Sequence, residues 1–482
     1  MHLMSKHFAA VLIVFPLILQ LFNNCSGQKT DVVITLRSAE PPTVEVQGRT
    51  AGNTSRNFSI VRDYAGTSDL ADRVSNIVLE DREGQTVAFR QFVPGEYVAE
   101  RDFVSWRYRM DLTPRKRPAA AAQTSWISGD RGLLFLDDLL PISATKPGND
   151  LDVRIELPTG WWATSEKSFK TTNARKVAIL VSKAARKQQI NVGNILIDIA
   201  ILDGWRFVDQ DVSNFSREII DNYRKSFGDL PVTQAAIYIL PFPMKVEPGN
   251  WEGDTRGTTT VLVSSDMPFQ TQSVQRLHEQ LRHEIFHLWF PNSISLSGNY
   301  DWFYEGFGLY RSLKLGVELN RLRFDDYLDT LGRAITIDSM LTDRRSLLDA
   351  SSARSSGGDT VIYARGMLAA LLTDVETMKR RDGKEDVSTI LRKLFNKYRM
   401  PAATESGNTA VLGIIDLPSV TRFVSGVERV DWANELKAMG IETVSENSLT
   451  SLRVAGHPTS SQKKFLDKLG YNNWRKLTPA SK

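Results

Sequence analysis

Cysteine is nearly absent from this 482-residue chain. A single thiol, Cys25, can close no internal disulfide, so a disulfide scaffold is excluded. Charge of one sign is not in excess either. Sixty Lys and Arg against 56 Asp and Glu leave a net +4, too little for a nucleic-acid-binding face unless it is clustered. The one short basic cluster, Arg115-Lys116-Arg117, sits between Pro114 and Pro118 and reads as a solvated loop, so no nucleic-acid partner is expected. Glycine (31) and proline (19) are near average usage, which excludes collagen-like and low-complexity classes. With 41% apolar and 24% charged residues, the chain is expected to form two to four globular domains.

Long apolar runs are missing beyond the N-terminus. Residues 8–22 form one, interrupted by Pro16 and Gln20. It follows Lys6 and His7, is too short to span a bilayer, and runs into small and polar residues, as a secretory signal does. Cleavage before Gln28 would place Cys25 and Gly27 at the two small-residue positions. An uncleaved anchor is one alternative; a lipid anchor at Cys25 is another, although Asn23-Asn24 suits a lipoprotein signal poorly. No later segment reaches 18 consecutive apolar residues, so the mature chain is expected to be exported, periplasmic or extracellular, with no transmembrane segment.

From residue 30 to about 200 the pattern is strand-like. Residues 31–36, 104–110, 133–136 and 177–181 are β-branched, aromatic or apolar runs between polar turns. They predict an N-terminal antiparallel β-domain. Near Val212 the period changes: 214–227 reads as a helix, 235–240 as a strand, and beyond Gln272 most periodic segments are helical. Strands followed by helices imply an α+β arrangement rather than a parallel α/β one. The Ser- and Gly-rich run 351–359 reads as a flexible loop. No fixed-period repeat is present.

Histidine is scarce as well, and two of the four beyond residue 27 fall in His283-Glu284-Ile285-Phe286-His287, an H-E-x-x-H pattern. On a helix, residues four apart share a face, so both imidazoles can bind one zinc ion. Glu284, rotated ~100° from His283, can reach a water beside the ion without being a ligand. Val274, Leu277, Leu281, Ile285 and Leu288 form the apolar stripe that such a helix needs, and Pro291 is expected to stop it. The alternative is a chance match on an amphipathic helix. A third protein ligand is required. Glu305, in Trp302-Phe303-Tyr304-Glu305-Gly306-Phe307, is the first good carboxylate downstream, with seventeen residues after His287; Asp301 lies close by.

Residues 283–292 together with 302–307 resemble the gluzincin metallopeptidases, more distantly aminopeptidase N and more closely the glycyl aminopeptidase family, whose members often carry a PDZ domain. Residues 125–134 and 139–141 are similar to the β-domain of that family. Tyr363-Ala364-Arg365-Gly366 is similar to its Tyr-x-Lys-Gly segment, with Arg365 in place of Lys, and Phe423-Val424-Ser425-Gly426 to the segment closing its catalytic unit. The likeness runs from about residue 31 to 444. Taken with the N-terminal signal and the strand pattern, it divides the chain into a signal peptide (1–27), an N-terminal β-domain (28–200), an implied thermolysin-like catalytic domain with a mainly helical C-terminal part (201–444), and a tail (445–482) expected to be too short for a PDZ domain. It also implies that Tyr363 donates its phenolic O–H to an oxyanion; the flexible loop lying just before it is expected to act as a gate over the cleft. Glu252, in Pro248-Gly249-Asn250-Trp251-Glu252-Gly253, would bind the substrate amine, with Asp254 as a substitute; the usual residue after this Glu is often His, here Gly253. Trp289 and Phe307 are expected to pack behind the site, and His457 to lie on the surface.

The function so implied is an exported zinc aminopeptidase acting on short peptides with small N-terminal residues. Metal ligands would be His283, His287 and Glu305, with Glu284 as general base. A zinc endopeptidase and an inactive peptidase-fold binding protein are the competing readings. Oligomeric state is not legible.

Overall fold

The computed structural model describes residues 29–51, 54–64, 66–146, 148–164, 168–342, 344–354 and 358–473. The expected signal segment with Cys25, and Trp474 in the tail, lie outside them. In the N-terminal body, alternation sets the sheet. Strand Lys29–Ala39 turns Val32, Ile34 and Leu36 inward, and Ser105–Asp111 turns Trp106, Tyr108 and Met110 the same way. Seven strands pair in the order Ser168–Thr171, Asp150–Glu156, Lys29–Ala39, Pro42–Ala51, Ser105–Asp111, Val74–Glu80, Thr86–Val87. The sheet is not wholly antiparallel, because Asp150–Glu156 returns from far along the chain to lie parallel to Lys29–Ala39, Val32 opposite Val153. Smaller sheets of four and three strands complete this body.

A second sheet begins earlier than expected. The hairpin Arg186–Val192 and Ile195–Ile201 falls before residue 200, yet it joins Gln234–Pro241, Thr259–Ser264 and Trp251–Arg256 in one five-stranded sheet. Its three central strands run parallel and its edges antiparallel. Helix Asp209–Phe227 makes a β-α-β crossover between two of them, starting before the expected residue 214 because Asp211 accepts from the Val208 N–H. The α+β division of the chain stands, with this crossover inside the second body. Trp251–Arg256 is the edge strand of the sheet.

Helices fill the rest. Gln270–Phe286 buries Leu277, Leu281 and Ile285 in the main apolar core, each worth about 1.5–3 kcal/mol. It ends at Phe286, before Pro291, and a turn of i→i+3 bonds leads from it: His287 N–H to Glu284 O, Leu288 N–H to Ile285 O. Helices Asp301–Glu318 and Asp359–Arg380 then cross in close contact at Gly306 and Gly366; a Cβ on either would overlap the other helix's backbone. This explains why a glycine follows both Glu305 and Arg365. Arg365 is fully buried and donates to Phe423 O (2.8 Å) and Gly426 O (3.3 Å), so the two family-like segments meet.

The segment expected to be a flexible loop is partly structured. Leu347–Ser352 is a short helix, and the buried Ser351 hydroxyl accepts from Trp302 N–H at 3.0 Å; residues 355–357 lie outside the described part. A tail division at 444 would cut the hairpin Ile441–Glu446 and Leu449–Val454, which packs on helix Phe324–Met340. Helix Ser460–Leu469 buries Phe465, Leu466 and Leu469.

Gly306→Ala is expected to destabilise the chain by about 1–3 kcal/mol through overpacking. It should also lower activity more than an equally destabilising core change elsewhere, because it separates the helices carrying Glu305 and Tyr363. Thermal melts with parallel assays check this; equal activity losses for the two substitutions would refute it.

Candidate active site

Helix Gln270–Phe286 and the turn after it bring His283 and His287 together with their Nε2 atoms 3.4 Å apart. Helix Asp301–Glu318 supplies Glu305 one turn from its start. Its Oε2 lies 3.6 Å from His283 Nε2 and 3.5 Å from His287 Nε2. A point equidistant from three atoms so spaced lies about 2.0 Å from each, the length of a zinc–nitrogen or zinc–oxygen bond. The donor set, two imidazoles and a carboxylate, is one that zinc takes in open catalytic sites. These residues fit the ion.

Glu284 is also near. The ligand-capable atoms of His283, Glu284 and His287 fall within 4.8 Å of one another. Yet Glu284 Oε1 is 3.9 Å from His283 Nε2, so Glu305 makes the tighter and more symmetrical triangle. The His287 Nδ1–H donates to Phe290 O at 2.9 Å, which turns the Nε2 lone pair toward the other donors.

The charge balance has the same meaning. Burial alone would lower the His287 pKa, but hydrogen bonding and charge from Glu305, with the Glu284 charge, push it up to about 9. A buried imidazole that gains proton affinity sits where positive charge is in deficit. Burial would raise Glu305, but the Arg354 charge and both imidazoles hold it well below the usual carboxylate range. Glu284 is raised, chiefly by burial and against the pull of both imidazoles.

The edge strand lies over this triangle. Trp251 meets the His283 ring edge-on with centroids 6.2 Å apart. A Cβ at Gly253 would overlap the Glu284 carboxylate, and the Thr255 hydroxyl donates to Glu284 Oε2 at 3.0 Å. These three alternate residues face the helix, so a glycine at 253 is required for room. Glu252, Asp254 and Arg256 take the opposite pleat face. Burial and the Glu284 charge raise the Glu252 pKa, with Arg117 opposing; the basic loop thus reaches the vicinity of the site. Asp254 is engaged by the Arg256 guanidinium at 2.6 Å, which makes it a weaker amine acceptor than Glu252. Arg256 is itself buried: it donates to Asp137 and Gln123 O and stacks over Phe135 at 4.1 Å. The edge strand is thereby fixed to the N-terminal body.

Tyr363, in the second turn of helix Asp359–Arg380, reaches the same centre. Burial and the Glu305 charge push its phenol well above the usual value, despite Arg354, so it stays protonated and able to donate. Arg354 is 3.0 Å from that phenol and 2.9 Å from Glu305 Oε1. The sequence reading overlooked both Arg354 and Thr255. A lone Arg in a run of small residues was a signal for the first; nothing local marked the second. Asp301 is a partner of Arg354 rather than a member of the triangle. Trp289 and Phe307 are fully buried among other aromatics, and His457 is exposed.

No family model matches the sequence, and no curated protein matches it. Solved structures do match, and they show that the chain shares its fold with the proteins named below. An aminopeptidase N family protein from Idiomarina loihiensis superposes with a TM-score of 0.72 at 13% identity, over 90% of this chain and 82% of that one. The M1 zinc metallopeptidase of Deinococcus radiodurans gives 0.52 at 15% identity, over 84% and 95%. A mutant of it bound to a Tyr-Ser-Ala substrate gives 0.53 at 15%, with the same coverage. No helix among the described residues is long and apolar enough to cross a membrane.

Metal analysis tests the triangle directly. The dialysed chain is expected to retain about one zinc per molecule, and His287→Ala or Glu305→Ala to retain little. A Glu305→Ala protein that keeps stoichiometric zinc would move the third ligand to another residue.

Proposed function

We propose that the chain is a zinc metallopeptidase that removes N-terminal residues from short peptides. The observation that carries this reading is the near-equilateral triangle of His283, His287 and Glu305 with Glu284 beside it. When bound there, zinc supplies Lewis acidity, polarising the scissile carbonyl and lowering the pKa of its water towards ~7. Glu284 takes the proton of the attacking water and delivers it to the leaving nitrogen; its raised proton affinity suits a group that must do both. Tyr363 donates its phenolic hydrogen to the oxyanion formed at the carbonyl. Thr255 holds the Glu284 carboxylate in place from the edge strand.

Amine recognition by Glu252 makes the enzyme an aminopeptidase. Support comes from its half-buried place on the edge strand and from the negative potential it shares with Glu284, which favours an ammonium group. The preference for small N-terminal residues, the glycyl aminopeptidase type and export rest on the resemblance of the motifs and of the N-terminal segment. An endopeptidase is the second reading: strand Trp251–Arg256 ends its sheet, and an edge strand can pair with an extended peptide whether or not Glu252 meets an amine.

Hydrolysis of matched free and N-acetylated peptides separates the two. Free peptides are expected to be cleaved and acetylated ones spared, and Glu252→Ala should lower kcat/KM for free peptides about 10–100-fold. Efficient cleavage of the blocked peptide would favour the endopeptidase. Glu284→Gln should lower kcat about 10²–10⁴-fold; retained turnover would overturn its role as base.

A further inference from the structure

The segment between the short helix Leu347–Ser352 and the helix of Tyr363 lies outside every motif discussed, yet its one charged side chain is tied into the site. Arg354 Nη2 lies 2.9 Å from Glu305 Oε1 and 3.0 Å from the Tyr363 hydroxyl. Its Nη1 lies 2.9 Å from Asp301 Oδ1 and 3.5 Å from the Tyr304 hydroxyl, and its Nε 3.3 Å from Asp359. One guanidinium therefore meets three carboxylates and two phenols. Resting on the peptidase reading, we propose that Arg354 is a positioning residue. It reserves one oxygen of Glu305, so that only the other faces the imidazoles, and it aims the Tyr363 O–H into the cleft.

Two physical arguments carry this. A carboxylate can offer a metal one oxygen or both. Glu305 presents Oε2 to His283 and His287 while Oε1 is held by Arg354, which confines it to the one-oxygen mode. The Tyr363 oxygen, for its part, accepts a hydrogen bond from a cation. Its own hydrogen must then point away from Arg354, and accepting from a cation strengthens the phenol as a donor. The planar fork of arginine reaches both groups at once, whereas a lysine ammonium keeps the charge without the fork. Direct capture of a substrate carboxylate is the other use of an arginine here. It is disfavoured because Asp301, Glu305, Asp359 and Tyr363 already occupy the donor edges.

The test uses the full chain as wild type, Arg354→Ala, Arg354→Lys, Tyr363→Phe and the double variant Arg354→Ala/Tyr363→Phe. Arg354→Ala should lower kcat about 10–100-fold, the usual cost of removing a partner of a metal ligand, with KM within about threefold. In the Tyr363→Phe background the same change should cost several-fold less, since the share of its effect that runs through the phenol is already lost. Losses that simply multiply overturn the phenol half. The second readout is independent of activity. Reconstituted with cobalt(II), Arg354→Ala and Arg354→Lys should lose visible d–d intensity as Glu305 turns to offer both oxygens, while Tyr363→Phe keeps the wild-type spectrum. An unchanged spectrum in Arg354→Ala overturns the carboxylate half. A rise in KM for free-acid peptides but not their amides would replace positioning by substrate capture. Should Arg354→Ala fail to fold, as judged by circular dichroism, Arg354→Lys carries both readouts. A wild-type chain that cleaves no peptide fails the peptidase reading, and the cobalt spectrum still decides this one.

Discussion

Glu305 has two oxygens and two incompatible neighbourhoods, and the candidate site is built around keeping them apart. One oxygen faces a pair of imidazoles, the other a guanidinium. Burying a carboxylate is costly unless it is paired and hydrogen-bonded, and here the partners come from two segments outside its own helix. Two imidazoles arrive on the end of one helix; the arginine arrives from the loop before another. The carboxylate's own helix is drawn against that second helix by the glycine contact of Gly306 and Gly366. Site and packing are therefore one problem: the placement of Glu305 relative to Tyr363 is inherited from how closely two backbones can approach.

Much of this was legible from the residues. The H-E-x-x-H motif falls at the end of a helix whose apolar stripe repeats at helical spacing, with His287 in the turn that follows, and Glu305 could be chosen over Asp301 because it sits deeper among aromatics. The divisions between bodies were less legible. Strands Arg186–Val192 and Ile195–Ile201 alternate like any others, and no local pattern says which of two sheets they will join. The parallel return of Asp150–Glu156 to Lys29–Ala39 was hidden for the same reason. Pairing partners more than a hundred residues apart leave no mark on either strand.

The run 351–359 misled in a more instructive way. Serine, alanine and glycine in a row read as loop because nothing in them can be buried for apolar gain. Yet Ser351 is buried for its hydroxyl, which satisfies an otherwise unpaired N–H at the start of the helix bearing Glu305, and Arg354 is held by its charge. Polar anchoring carries no periodicity. It becomes visible only when the groups being satisfied are in view.

The buried guanidinium of Arg256 has an effect on modularity. Its own strand lies against the helix of His283 and supplies one acceptor, Asp254, but two others, Asp137 and the Gln123 carbonyl, belong to the other body. A chimera that kept the helical half and exchanged the β-rich half for a foreign one would leave this buried cation with Asp254 alone and loosen the ribbon that lines the cleft. The front portion of the molecule is thus not an interchangeable accessory but a part of the framework that holds the candidate site.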